Sequence, residues 1–118
     1  KRKWYSFHLN QNFWNDVYGV SMKCLKKWVL SDPMVDCIHK SHVISQPQMV
    51  LNLDLYKVAV KDLDFRTNFA LKVSKPNFQL YGFVAWFDVH FSHGWKHKIL
   101  STSPFREETH WKQTVFYL

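Results

Sequence analysis

Glycine is scarce in this chain of 118 residues: Gly19, Gly82 and Gly94 are its only three, and they lie far apart. A nucleotide or phosphate site of the usual kind needs a glycine-rich turn between a strand and a helix. No such fingerprint is present. Cysteine is scarcer still. Cys24 and Cys37 stand without a CxxC pair or a cysteine-rich framework, which fits a reducing compartment better than a disulfide-stapled secreted domain. The two could pair, but a buried thiol on a helix face is the plainer reading of Cys24. No apolar run is long enough to cross a membrane, and Lys1-Arg2-Lys3 is not followed by the apolar stretch of a signal peptide. Internal repeats and low-complexity segments are missing too. The chain lacks an initiating Met, so it is expected to be cut from something longer.

What is abundant is apolar and aromatic. Hydrophobic residues make up 47% of the chain and aromatics 18%, enough for a packed core and against long disorder. The length allows one domain or a piece of one. Six Trp and ten Phe suggest aromatic packing of strands, or an apolar surface for a partner. The net charge of +7 is chiefly Lys, scattered rather than blocked. Such a field can hold nucleic acid non-specifically. A solvated surface is the plainer reading, and no dedicated nucleic-acid role is expected.

The first third reads as helical. Trp14, Tyr18, Met22, Leu25 and Val29 recur at steps of three and four, with Phe13, Val17, Val20, Cys24 and Trp28 as a second stripe beside them. Asn12 can cap the start, and Asp16 favours a first turn. Gly19 interrupts the pattern, which predicts a split into two short helices. Pro33 disfavours helical geometry at Asp32 and ends the segment. Two adjoining stripes make a wider apolar face than a one-sided surface helix needs. Periodicity alone favours a helix buried in its own domain over an arm packed on another subunit.

From about residue 46 the period becomes two. Met49, Leu51, Leu53 and Leu55 alternate, as do Phe69, Leu71 and Val73. Over 81–91 the odd positions are all apolar, which predicts one continuous strand. Residues 92–98 form a turn pivoting on Gly94, and 99–102 and 111–118 are two more strands. Short strands without helices between them predict an antiparallel sandwich or barrel. The fold class is therefore mainly β with an N-terminal helical arm. The barrel is expected to be incomplete, because its final strand has no partner.

Several constellations could carry chemistry. His90, His93 and His97 are near one another, as are His39 and His42. The three do not share a helical face and no Cys is near, so surface histidines are the plainer reading and no metal is expected. Ser101, His110 and Asp88 are the residue types of a hydrolase triad, but nothing resembles a nucleophile elbow. Glu107 and Glu108 are adjacent, and neighbours on a strand point to opposite faces, so a solvated turn is a better reading than an acid–base dyad. There remains the run Thr109-His110-Trp111-Lys112-Gln113-Thr114. It puts an imidazole beside an indole in a polar loop, just before the apolar Val115, Phe116, Tyr117 and Leu118. A loop feeding a strand is well placed to hold polar side chains over a pocket.

That run, with Leu100-Ser101-Thr102-Ser103-Pro104 upstream, resembles the two most recognisable C-terminal motifs of the type I protein arginine N-methyltransferases. Phe13-Trp14-Asn15-Asp16-Val17-Tyr18-Gly19-Val20-Ser21-Met22 resembles the family's dimerisation arm. Asp32-Pro33-Met34-Val35-Asp36 is similar to its return segment, and Gly82-Phe83-Val84-Ala85-Trp86-Phe87-Asp88-Val89 to its central barrel strand. The matches are collinear and cover nearly the whole chain. Ser21 stands where the family commonly has Asp, and Val20 where Phe is commonest, so the arm's polar contact is expected to differ.

The resemblance implies a division of the chain: 1–12 as a lead-in strand or linker, 13–45 as helical dimerisation arm and return, and 46–118 as a partial β-barrel substrate domain. The domain that binds S-adenosylmethionine, and the paired catalytic glutamates, would lie outside these residues; Glu107 and Glu108 do not match those glutamates. It implies a catalytic role for His110, as the loop histidine that pairs with a carboxylate of that other domain. Trp111 would wall the arginine pocket and Thr109 would set the loop. Trp14, Tyr18, Met22 and Leu25 would carry a homodimer contact within 13–30, which reverses the preference for a self-buried helix. The full-length protein would use S-adenosylmethionine to make asymmetric dimethylarginine in histones and glycine-arginine-rich proteins, in nucleus and cytoplasm. This chain alone would bind no cofactor and be inactive. The alternative implied is a non-catalytic dimerisation or regulatory module of the same family.

Overall fold

The computed structural model describes residues 13–74 and 77–118, with the side chain of Val29 left aside. The expected lead-in segment 1–12 lies outside the described residues. Among the described residues there are five short strands: β1 (Met34–Asp36), β2 (Gly82–Ala85), β3 (Asp88–Phe91), β4 (Lys98–Ser101) and β5 (Gln113–Tyr117). They form two antiparallel sheets, one ordered β1–β5–β2 and one pairing β3 with β4. The architecture is mainly β, and among the described residues the sheets do not close into a barrel.

The chain divides into two compact units, Lys1–His42 with Gln79–Leu118, and Val43–Phe78. In the first, β5 is the central strand. Its β-branched and aromatic residues suit a strand paired on both sides. Met34 faces Val115 on one side and Val84 faces Val115 on the other. Gln113 and Val115 are buried, with Cys37 beside them. Gly82 is required where it stands. A Cβ added there would overlap the Phe116 carbonyl oxygen, so β2 reaches β5 through a position that tolerates no side chain.

The predicted helical arm is present only in part, and its break falls at Gly19, where the sequence predicts one. Tyr18 and Gly19 both have positive φ, 54° and 83°. They are the central pair of a tight turn in which Val17 N donates to Val20 O at 2.8 Å and Val20 N to Val17 O at 3.1 Å. Two successive residues in this region are incompatible with a helix and typical of a two-residue hairpin turn. Asp16 Oδ1 reinforces the turn by accepting from Gly19 N at 2.7 Å. Helical geometry follows in a 3-10 turn, Lys23–Leu25, and in α1 (Lys26–Ser31). Cys24 is exposed in that turn, and Cys37 is the buried thiol; the two form no disulfide.

The predicted strand over 81–91 is bent into two, with the bend at Trp86 and Phe87, and its halves join different sheets. The less exposed positions are Gly82, Val84 and Trp86 before the bend and Val89 after it, so the inward face is the even positions first and changes phase at the corner. Beyond it, β3 and β4 form the expected hairpin, with His90 opposite Ile99. Gly94 lies in the connecting turn without a positive φ.

In the second unit, Val43–Phe78, the alternating runs at 49–55 and 69–73 do not form strands. One bridge, Ser45 to Val73, is the only ladder element among its described residues. Turns follow the first run instead. The Asp54 main-chain carbonyl accepts from Lys57 N and Val58 N, while the carboxylates of Asp54 and Asp62 accept from Tyr56 N and Ala59 N. The two carboxylate bonds are of the local kind that competes with a strand ladder. Among the described residues no helix is long and apolar enough to cross a membrane.

Candidate functional site

The connection from β4 to β5 is built on a polar base. Thr102 is only 1% exposed. Its N–H donates to Phe87 O at 3.0 Å, while its hydroxyl donates to Phe87 O and accepts from Phe87 N, both at 3.1 Å. Phe87 is thereby drawn away from a continuous ladder, which explains the bend. At the other end Gln113, 4% exposed, donates from Nε2 to Thr102 O at 2.6 Å and accepts at Oε1 from Ile38 N at 2.7 Å. Buried polar groups need such partners. Gln113 and Thr102 lie within the two C-terminal motifs, where sequence alone assigns them no task; polarity just ahead of an apolar strand is the signal for Gln113.

Between these anchors run two turns. Ser103 O accepts from Arg106 N at 3.1 Å, and Ser103 Oγ from Phe105 N at 3.2 Å. Thr109 O accepts from Lys112 N at 3.1 Å, with Lys112 itself at φ 55°. His110 and Trp111 are thus the two central residues of a turn, and both are exposed. Their rings lie 3.8 Å apart and tilted by 34°. Two edge-to-face pairs tie the loop to the corner: Phe87 with Trp111 and Trp86 with Phe105, each at 6.3 Å. Pairs of this kind contribute about 0.5–1.5 kcal/mol each beyond burial. The Thr109 hydroxyl oxygen is buried without a hydrogen-bond partner among the described residues.

Thr109, His110 and Trp111 are therefore brought together at one tip. The residues expected to carry a subunit contact are not on one helical stripe. Tyr18 is fully exposed at the turn tip, while Trp14 and Met22 are joined by a bond from Met22 N to Trp14 O at 2.9 Å. Leu25 ends the 3-10 turn and is exposed.

The other constellations separate. Ser101 Oγ donates to Asp88 Oδ1 at 2.5 Å, while His110 stacks on Trp111, so the three triad residue types do not form one. His90 and His97 have ring centroids 5.6 Å apart, and His93 pairs with Ser92. No group of three metal-ligating side chains occurs among the described residues. Tyr117 has its pKa raised above the usual 10.0, first by burial and then by the nearby charge of Asp36.

A family model of the arginine methyltransferase oligomerization subdomain matches residues 3–118. Protein arginine N-methyltransferase 1 of Schizosaccharomyces pombe is 42% identical over 105 residues, covering 89% of this chain and 31% of the relative. The Dictyostelium discoideum protein of the same name is 35% identical over 106 residues, covering 90% and 31%. The chain thus spans about a third of the length of these relatives. Among solved structures, a chain of the Trypanosoma brucei PRMT1 enzyme-prozyme heterotetrameric complex with AdoHcy is similar with a TM-score of 0.84 and 28% identity, covering all of this chain and 37% of that one. Arabidopsis thaliana protein arginine methyltransferase 10, in an open conformation, gives a TM-score of 0.70 and 26% identity, covering 96% and 37%.

Proposed function

The chain belongs to the arginine methyltransferase family, as its oligomerization subdomain, and on that premise we propose that it supplies one wall of the arginine pocket of an enzyme methylating protein arginines. The full-length protein would take its methyl group from S-adenosylmethionine. The relative solved with AdoHcy, the form left when that donor gives up its methyl group, supports this. The donor's binding site is expected to lie outside the present residues. Gly19 sits in a tight turn, Gly82 within a strand and Gly94 in a hairpin turn, so none joins a strand to a helix as a cradle for such a group requires. The donor's chemistry belongs to another part of the protein, and this chain alone is expected to show no turnover.

The observation that carries the reading is the exposed His110–Trp111 pair on its buried Thr102–Gln113 base. A guanidinium is planar and permanently charged. A half-exposed indole can contact it by cation–π attraction. His110, stacked on that indole, would fix its orientation and meet a carboxylate of the other domain, while the Thr109 hydroxyl would find its partner there. Positioning of this kind is what a transfer between two bound groups needs most. Trp14, Tyr18, Met22 and Leu25 would meet a second copy of the protein in a homodimer, with Tyr18 at the tip. Asymmetric dimethylarginine, histone and glycine-arginine-rich substrates, and action in nucleus and cytoplasm complete the proposal.

The test is transfer of label from S-adenosylmethionine to an arginine peptide by the full-length protein. Label in dimethylarginine is expected; label on lysine, or none, would overturn the reading. A second reading is a regulatory module that pairs with a complete subunit, which similarity to a chain of an enzyme-prozyme complex favours. It requires that adding this chain to an active family member raises that member's rate.

A further inference from the structure

A cavity of about 190 Å³ lies between the turn at 39–42 and the loop at 103–108, and the reading above gives it no task. We propose that it is a carboxylate-accepting subsite, which holds an acidic side chain of the protein substrate near the target arginine. The proposal rests on the arginine-methylating reading of the adjoining 109–111 loop.

Size narrows the occupant. Pockets for cofactors and drug-sized ligands run from about 300 to 1,000 Å³, so this one admits a group the size of a single side chain. Chemistry sets its sign. Lys40 and Arg106 are on the lining, with Glu108 as the one carboxylate, so cations outnumber acids by two to one. An arginine fork matches the two oxygens of a carboxylate. His39 is also on the lining, held by its Nδ1, which accepts from Ser41 N at 3.3 Å.

The wall is fixed in advance. Gln113 has both ends of its amide engaged, with Thr102 and Ile38. Ser103, 8% exposed, accepts from Phe105 N at Oγ and keeps its own hydroxyl proton to donate. Donors held this way lose little freedom when an anion arrives.

Placement links the cavity to the substrate. Glu108 lines it and directly precedes Thr109, so the two Cα atoms are about 3.8 Å apart. An extended peptide advances about 3.3 Å per residue. A peptide whose arginine lies against Trp111 therefore reaches the cavity with a side chain a few positions away.

The experiment compares two peptides with the full-length enzyme. Each has one arginine in a glycine background, with either Asp or Asn placed two to four residues from it. The Asp peptide is expected to have the higher kcat/KM, by about threefold to fivefold for a partly exposed charge contact. That advantage should shrink as ionic strength rises and fall to about one in the Lys40→Gln, Arg106→Gln double variant. Equal rates for both peptides in the unmodified enzyme, or an advantage that survives in the double variant, would overturn the proposal. A separate arm titrates this 118-residue chain with sodium acetate and follows the amide resonances of Ser103, Phe105 and Arg106. Shifts in these, lost in the double variant, support the carboxylate site even if no arginine peptide is methylated, in which case the arginine reading alone falls. Resonances that do not move with acetate count against the site whatever the enzyme does.

Discussion

Gln113 and Thr102 are joined by a bond from the Gln113 amide to the Thr102 carbonyl at 2.6 Å, with both residues almost wholly buried. The other end of the same amide accepts from Ile38 N. One side chain thus holds the start of β5, the exit of β4 and the segment after β1 in a single arrangement.

Gln113→Leu would leave the Thr102 carbonyl and the Ile38 N–H without partners. A loss of about 2–6 kcal/mol is expected, at about 1–3 kcal/mol for each buried group abandoned. Gln113→Glu keeps an acceptor for Ile38 N but sets a buried carboxylate oxygen against the Thr102 carbonyl, so it too is expected to destabilise. Urea unfolding followed by circular dichroism measures both; a loss under about 0.5 kcal/mol for Gln113→Leu would show that the amide is not a structural tie.

Gly82→Ala tests the close approach of β2 to β5. The added methyl would meet the Phe116 backbone oxygen rather than a movable side chain, so the strand pair must open to admit it. A destabilisation of about 1–3 kcal/mol or more is expected. Hydrogen exchange should show the loss concentrated in β2 and β5, and unchanged protection there would contradict the packing.

These two residues also show what the sequence could and could not convey. The strands expected at 99–102 and 111–118 match β4 and β5 to within two residues, because β-branched Ile99, Thr114 and Val115 and aromatic Phe116 and Tyr117 fill them and turn residues bound them. In the arm the break at Gly19 is legible, but its hairpin geometry is not, because a period near 3.6 says nothing about φ. Tyr18 and Gly19 enter the left-handed region as a pair, and the apolar spacing around them is unaffected by that. The strand at 81–91 was read as continuous because its odd positions are apolar throughout. The bend depends on Thr102, fifteen residues away, and no local pattern reports such a bond. The tip formed by Thr109, His110 and Trp111 was legible as a motif, whereas the Gln113 and Thr102 base beneath it became visible only in three dimensions.

Tyr117 gives a pH signature. Its pKa is raised in the fold, first by burial and then by the charge of Asp36, so the folded state holds this proton more tightly than the unfolded chain does. The sign follows: the contribution is complete below pH 10, the ordinary value, and is lost as pH rises through the folded value. The side chain is partly exposed, so the effect is modest. Tyr117→Phe should flatten the fall in stability above pH 10 and leave the profile below pH 9 parallel to that of the unmodified protein. A fall of the same steepness in both proteins would contradict the assignment.

The wall formed by His110 and Trp111 is tested most directly by arginine-peptide methylation with the full-length enzyme carrying Trp111→Ala or His110→Ala. Each variant should first be shown to unfold at a temperature within a few degrees of the unmodified enzyme. Trp111→Ala is expected to lower kcat/KM by about tenfold, the size of a partly desolvated cation–π contact, largely through KM. His110→Ala is expected to lower kcat, because the orientation of the loop is lost rather than the wall itself. A kcat/KM within twofold of the unmodified enzyme for both variants would mean that this tip does not face the arginine.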